Sequence, residues 1–279
     1  MKISLCTISF RHRLIGLKDI AFWARDNGFQ GIELWAIHAR NQSPLAIHNA
    51  QWMAAQGLSV PMISDYLPLH DPDLLRSCTL ALCAQARVWG APKMRTFAGQ
   101  QASAAATPDE RRQTIRALRE VCTIAAGHGL RLLVETHPGS LADTLPSTCD
   151  LIDAVNHDAL MINFDALHVW EGGDDPVEAR RILLPRIAHY HLKNVSSRDR
   201  FGVFAPNNVY SAAGTRDGMV PLFKGAYDYS DFLSALAQDP GCEASLEWFG
   251  DAVFQTLKSD IAQLRARTRQ ETPKTATAV

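Results

Sequence analysis

The chain has no CxxC pair, no glycine-rich phosphate loop, no apolar run near the roughly 20 residues of a membrane span, and no surplus of either charge. Each absence removes a class of function. The six cysteines (Cys6, Cys78, Cys83, Cys122, Cys149 and Cys242) are scattered through apolar segments. They read as buried free thiols of a reducing compartment rather than as disulfides or a structural zinc site. With 28 Lys and Arg against 29 Asp and Glu, no global field draws the protein to nucleic acid or to an anionic membrane. The opening MKISLCTISF runs at once into Arg11, His12 and Arg13, too short and too soon charged for a signal peptide. A cytoplasmic protein is expected. After the first β-rich run, Thr7 to His12 contains no glycine, which disfavours a dinucleotide-binding open sheet.

What is present is an alternation of short β-rich runs with longer amphipathic segments. Eight strands are predicted: Lys2–Ile8, Gly31–Trp35, Leu58–Ser64, Lys93–Phe97, Leu130–Thr136, Leu160–Asp165, Ile187–Lys193 and Ala244–Trp248. Helices are predicted between them, at about 17–27, 44–56, 72–89, 108–128, 146–155, 176–184, 229–238 and 252–267. Several open with a capping residue before proline: Ser43-Pro44, Asp71-Pro72, Thr107-Pro108 and Asp175-Pro176. In a chain of 279 residues this alternation predicts an α/β fold, a (β/α)8 TIM barrel forming a single domain over 1–279, with 268–279 as a flexible tail. A doubly wound open sheet is the alternative. The connection from Val195 to Asp228 is long and rich in turn formers and aromatics, and reads as an ordered lid; the small-residue stretch Ala98–Thr107 reads as a flexible loop.

In such a barrel the C-terminal strand ends line one mouth. Those ends carry Glu33, Arg95, Glu135 with His137, Asp165 with His168, His191 with Lys193, and Glu247 with Phe249. The stretch IAHYHLKN places His189, His191 and Lys193 on one face, a polar row that needs partners if it is buried. Glu135, Asp165, His191 and Glu247 come from four consecutive strands. Three carboxylates and one imidazole suit a divalent ion such as Mn²⁺ or Mg²⁺. His189 lies one layer deeper, as a supporting group. For Glu33, a supporting acid and a substrate contact are both open.

The succession SLCTISFRH, GIELW, ISDYL, MRTFAGQ, ETHP, NFDALHVWEGG, HYHLKN, PNNVYSAAG, GMVPLF and SLEWFG resembles the 3-dehydroshikimate dehydratases of the petrobactin siderophore pathway. These are members of the xylose isomerase-like barrel superfamily. The resemblance implies metal-dependent conversion of 3-dehydroshikimate to 3,4-dihydroxybenzoate and water. It places metal ligands at Glu135, Asp165, His191 and Glu247, and substrate or catalytic contacts at Arg95, His137, His168, Lys193, Phe204, Tyr210 and Phe249. The small-molecule substrate would be the partner, with no nucleic acid or membrane, and self-association is left open.

The chemistry accounts for these residue types. In the substrate, the C4 proton lies alpha to the C3 ketone and the C5 hydroxyl lies beta, so an enolate followed by loss of water leads to an aromatic ring. A Lewis acid stabilises the enolate and a base must reach C4. His137 is the first choice of base, because a neutral imidazole is available at neutral pH. Lys193 needs a lowered pKa for that role and otherwise remains a cation. Arg95 suits a substrate carboxylate. A ketose epimerase or isomerase using Glu135 and Glu247 as acid and base is the nearest competing reading. A nuclease reading lacks its basic groove, and a barrel that only binds a sugar acid is the non-catalytic alternative.

Overall fold

The structure, a computed structural model, describes residues 1–41, 48–239 and 241–270. The barrel strands are β1 (Lys2–Cys6), β2 (Gly31–Trp35), β3 (Ile63–Ser64), β4 (Lys93–Thr96), β5 (Arg131–Glu135), β6 (Leu160–Asp165), β7 (Ile187–Leu192) and β10 (Glu243–Leu246). They are parallel and close in the order β1, β10, β7, β6, β5, β4, β3, β2. The predicted eightfold barrel is therefore the observed one. A two-stranded antiparallel hairpin, β8 (Asn194–Val195) and β9 (Met219–Val220), stands apart from it.

Local chemistry sets the ends of the elements. The helix Pro72–Trp89 starts where Asp71 accepts from Leu74 N, with proline in its first turn, and stops at Gly90 in the left-handed region. The helix Pro108–Gly127 carries a reciprocal capping box between Thr107 and Glu110. The predicted third strand, Leu58–Ser64, is shortened to Ile63–Ser64 plus one bridge between Gly31 and Ser59. Pro61 interrupts the run and has no N–H to donate. The first strand ends at Cys6, and Thr7–Phe10 forms a 3-10 turn instead of continuing it. The proposed Ser43-Pro44 cap lies outside the described residues; the described helix there is Ala50–Ala55, capped by Asn49. Of the predicted tail, residues through Gln270 belong to the helix Val253–Gln270, and 271–279 lie outside the described residues.

The connection after β7 is ordered by specific bonds. Asn194, 2 % exposed, donates its amide to Leu222 O at 2.7 Å and Tyr227 O at 2.8 Å, and accepts from Val195 N at 2.9 Å. Gly225 passes so close to this amide that any Cβ there would collide with it. Between these anchors lie the 3-10 segment Arg198–Phe204 and the short helix Pro206–Val209. Ala98–Thr107, expected to be a free loop, is tied to the next connection: Leu141 N donates to Ala98 O at 2.9 Å and Ser103 N to Asp143 Oδ2 at 2.8 Å. Its small residues allow close packing there.

The last helix secures the same long connection through Asp260, 4 % exposed, which accepts from Leu222 N at 3.1 Å. Burial pushes its carboxyl up to about 6, against the opposing pull of the Leu222 N–H and of Lys224. The folded value lies above the unfolded one, so the protonated form is favoured by folding. That stability is complete below about pH 4 and lost as pH rises through about 6, a change of ~3 kcal/mol. Urea denaturation of wild type and Asp260→Asn across this window should show the wild type losing stability relative to the variant as pH rises. Parallel curves would contradict the assignment.

Candidate active site

Period two and the barrel twist bring the strand-end residues to one small volume. Asp165 lies beside His191 in the β6–β7 register, and Ser245 lies beside His191 between β10 and β7. Glu247 follows β10, and its backbone N still donates to Leu192 O at 3.2 Å. Ligand atoms of Glu135, Asp165, His191 and Glu247 all lie within 4.8 Å of one another. That is close to the span of about 4–5 Å between opposite ligands of a single divalent ion. All four residues are buried.

Each acid divides its two oxygens between different partners. Glu135 turns Oε2 to Arg95 Nε at 3.0 Å and Oε1 toward His191 Nδ1 at 3.6 Å. Glu247 turns Oε2 to Lys193 Nζ at 2.8 Å and Oε1 toward His191 Nδ1 at 3.4 Å. Asp165 caps the short helix Ala166–Glu171 by accepting from His168 N at 3.1 Å, while its Oδ2 meets Lys193 Nζ at 2.6 Å. His191 Nδ1, fully buried, has no hydrogen-bond partner and faces two carboxylate oxygens. An unshared imidazole nitrogen ringed by three acids is the donor set of a hard or borderline cation. These residues fit a divalent metal.

Against burial, the acids raise the His191 pKa well above the ordinary imidazole value, so a proton and a cation compete for its Nδ1. Burial alone would raise the carboxyl pKa values. It is outweighed for Glu135 by Arg95 and His191, and for Glu247 by His191 and Lys193, so both are held below the usual carboxylate range. Burial would likewise strip the proton from Lys193, but Asp165 and Glu247 raise its pKa instead. Paired with Asp165 and Glu247, Lys193 is held here as a cation.

Glu33 does not reach the cavity. It is 0 % exposed and lies beneath His191, accepting from its Nε2 at 2.8 Å and, on the other oxygen, from Ser64 Oγ. Of the two roles open from sequence, this position suits the supporting acid: the carboxylate accepts the Nε2 proton of His191, which would leave Nδ1 for an ion. Burial opposes its charge, yet His191 holds its pKa down at about 2. His189, one layer deeper, bonds Ser245 Oγ at 2.8 Å, and burial keeps it neutral.

The remaining predicted residues surround a 40 Å³ inner cavity next to the acids, lined among others by Arg95, His137, His168, Phe204, Tyr210 and Phe249. His137 directs Nδ1 to Pro138 O at 2.6 Å, which leaves Nε2 as its unshared nitrogen. Burial, with His168 beside it, pushes its pKa down to about 3, so it is neutral. His168 directs Nδ1 to Glu171 Oε2 at 2.7 Å, and its ring centroid is 4.6 Å from that of His137. Arg95 Nη1 is buried without a hydrogen-bond partner, and the guanidinium lies over Tyr66 and Phe97 at 5.4 and 5.1 Å. Phe204 and Phe249 both approach Lys193 Nζ, at 5.6 and 5.4 Å. A larger cavity of 610 Å³ adjoins the inner one and shares Tyr66, Phe97, His137, Pro206 and Tyr210 with it.

Sequence reasoning missed Ser64, Tyr66 and Glu171. Glu171 stands three residues from His168 on one helix turn, a spacing that was available to find it. Tyr66 accepts a hydrogen bond from Tyr210, whose ring also stacks on Trp35 at 6.0 Å. Nothing in the local sequence announces that pairing, which joins segments 144 residues apart.

A closed parallel barrel with three acids and a histidine at the ends of four adjacent strands offers the donor set of a divalent-metal site. The chain belongs to the xylose isomerase-like TIM barrel family, whose sequence profile matches residues 22–271. More particularly, it is 44% identical over 276 residues to the 3-dehydroshikimate dehydratase of Bacillus anthracis, covering 96% of this chain and 98% of that one. The crystal structure of the probable 3-DHS dehydratase involved in petrobactin synthesis from the same organism superposes with a TM-score of 0.91, over 95% of this chain and 99% of that chain. An L-ribulose 3-epimerase is similar in fold, at a TM-score of 0.74 and 18% identity over 99% of both chains.

The Glu33–His191 bond yields a direct expectation. Glu33→Ala should weaken Mn²⁺ binding by about 10–100-fold in isothermal titration. Unchanged affinity in a folded variant would show that the imidazole needs no such support.

Proposed function

We propose that this protein is a metal-dependent hydro-lyase that converts 3-dehydroshikimate to 3,4-dihydroxybenzoate and water. The observation that carries the reading is the coincidence of a four-ligand cation site with His137, His168, Arg95 and Lys193 around one cavity, in a chain similar over nearly its whole length to a dehydratase of that substrate. A divalent ion, Mn²⁺ or Mg²⁺, held by Glu135, Asp165, His191 and Glu247 would polarise the ketone and offset negative charge as C4 is deprotonated.

The protein's own groups do the rest. His137 offers a neutral Nε2 as base for the C4 proton. Because burial weakens that base, acidity must be supplied on the substrate side, where Lys193 and Arg95 bring two fixed positive charges to the cavity wall. Arg95 has a spare, rigidly held donor for the carboxylate. Loss of the C5 hydroxyl needs a proton, and Lys193 or His168 faces the same space. The dienone left behind loses a C6 proton and gains one on the former ketone oxygen to become the catechol. Phe204, Tyr210 and Phe249 provide the apolar and phenolic walls for a flat ring.

The ketose epimerase reading asks Glu135 and Glu247 to exchange protons with substrate. Each is already paired with a cation and with His191, and the likeness to an epimerase extends to fold alone. Among the described residues no helix is long and apolar enough to cross a membrane. We place the enzyme in the cytoplasm, where its free cysteines would persist. Siderophore assembly and aromatic catabolism both consume a catechol acid, and that choice is made outside this chain.

Incubation with 3-dehydroshikimate and Mn²⁺ should produce a growing catechol ultraviolet band that EDTA abolishes. No band under these conditions sinks the proposal. His137→Ala should lower kcat by about 10²–10⁴-fold. Near-full turnover in that variant, with Lys193→Met inactive, would move the base to Lys193.

A further inference from the structure

We infer that Arg11, which does not line the cavity, is the positioning residue that assembles three of its walls. The 3-10 turn after β1 delivers its guanidinium to the outside of the inner cavity. Nε donates to Val209 O at 2.6 Å, Nη2 to Phe249 O at 3.0 Å and Nη1 to Ile8 O at 3.5 Å. Ile8, Val209 and Phe249 all line the inner cavity. They belong to three separate segments: the turn after β1, the long connection after β7, and the loop after β10. One side chain therefore fixes the relative positions of three walls from behind.

Two further contacts strengthen the clamp. His12 Nε2 approaches the same Val209 carbonyl at 3.1 Å, and the Arg11 guanidinium lies 4.9 Å from the centre of the Phe249 ring. No carboxylate pairs with Arg11 among the described residues, so its donors are spent on backbone carbonyls. A planar fork with donors at fixed angles can grip three carbonyls at once, whereas an ammonium group cannot hold the same spread. The grip on Val209 sets the next residue, Tyr210, whose phenol bonds Tyr66 over the mouth. The grip on Phe249 sets a ring that packs against Phe204 at 6.0 Å. None of these bonds involves Glu135, Asp165, His191 or Glu247, so Arg11 acts on the substrate's place and not on the ion's.

The kinetic arm of the test rests on the dehydratase reading; the exchange arm does not. In Arg11→Met and Arg11→Lys, amide hydrogen exchange at 207–211 and 248–251 should quicken by about tenfold or more, with the barrel strands unchanged. Mn²⁺ affinity should remain that of wild type. The KM for 3-dehydroshikimate should rise about tenfold or more, with a smaller change in kcat. In Arg11→Ala, added guanidinium should restore KM while ammonium should not. Wild-type exchange at both segments in Arg11→Met overturns the inference whatever the substrate proves to be. Quickened exchange with an unchanged KM overturns it too. Should Arg11→Met fail to fold, Arg11→Lys carries the same comparison, since it retains the charge and loses only the fork.

Discussion

Four carboxylates buried inside one barrel dominate this molecule. Glu33, Glu135, Asp165 and Glu247 are each no more than 5 % exposed, and an isolated buried carboxylate costs several kcal/mol even after relaxation. The surrounding sequence answers that cost group by group. Arg95 meets Glu135, Lys193 bridges Asp165 and Glu247, and His191 stands between Glu33 and the other acids. Four negative groups face two fixed cations, Arg95 and Lys193, and the imidazoles of His168, His189 and His191. The whole arrangement attracts positive charge to the point where His191 Nδ1, Glu135 and Glu247 converge.

The same constraint explains why the supporting layer is polar. Ser64 binds Glu33, Ser245 binds His189, and Asp165 spends one oxygen on capping the helix that carries His168. Each of these bonds fixes a side chain that a purely apolar barrel interior would leave uncompensated. Around this charged centre the walls are aromatic: Phe97, Phe204 and Phe249 with Tyr66 and Tyr210. The electrostatic centre is built by β-strands, and the walls come chiefly from loops. Precision in the strands is set by hydrogen-bonded register, whereas the loops need separate fasteners such as Asn194, Asp260 and Arg11.

Much of this was legible from the chain. Alternation at period two put His189, His191 and Lys193 on one face, and adjacency of strands grouped the four proposed ligands, because both depend on local geometry repeated along the barrel. Gly31–Trp35 and Leu160–Asp165 were read to the residue for the same reason. What escaped depends on contacts between distant segments. Burial of Glu33 under His191 joins residues 158 apart, and the Arg11 bond to Phe249 joins residues 238 apart. No window of sequence contains such pairs. The early end of the first strand and the short helix after Asp165 were missed for another reason, since apolar runs of four to six residues suit a strand or a helix turn equally.

Glu135, Asp165, His191 and Glu247 are proposed to hold one divalent ion together. Anomalous diffraction from crystals of the protein grown with Mn²⁺ tests this proposal most directly. A single strong peak is expected within about 2.0–2.6 Å of a donor atom from each of the four, with His191 contributing Nδ1. A peak between Glu33 and His189, or none inside the barrel, would contradict the proposal.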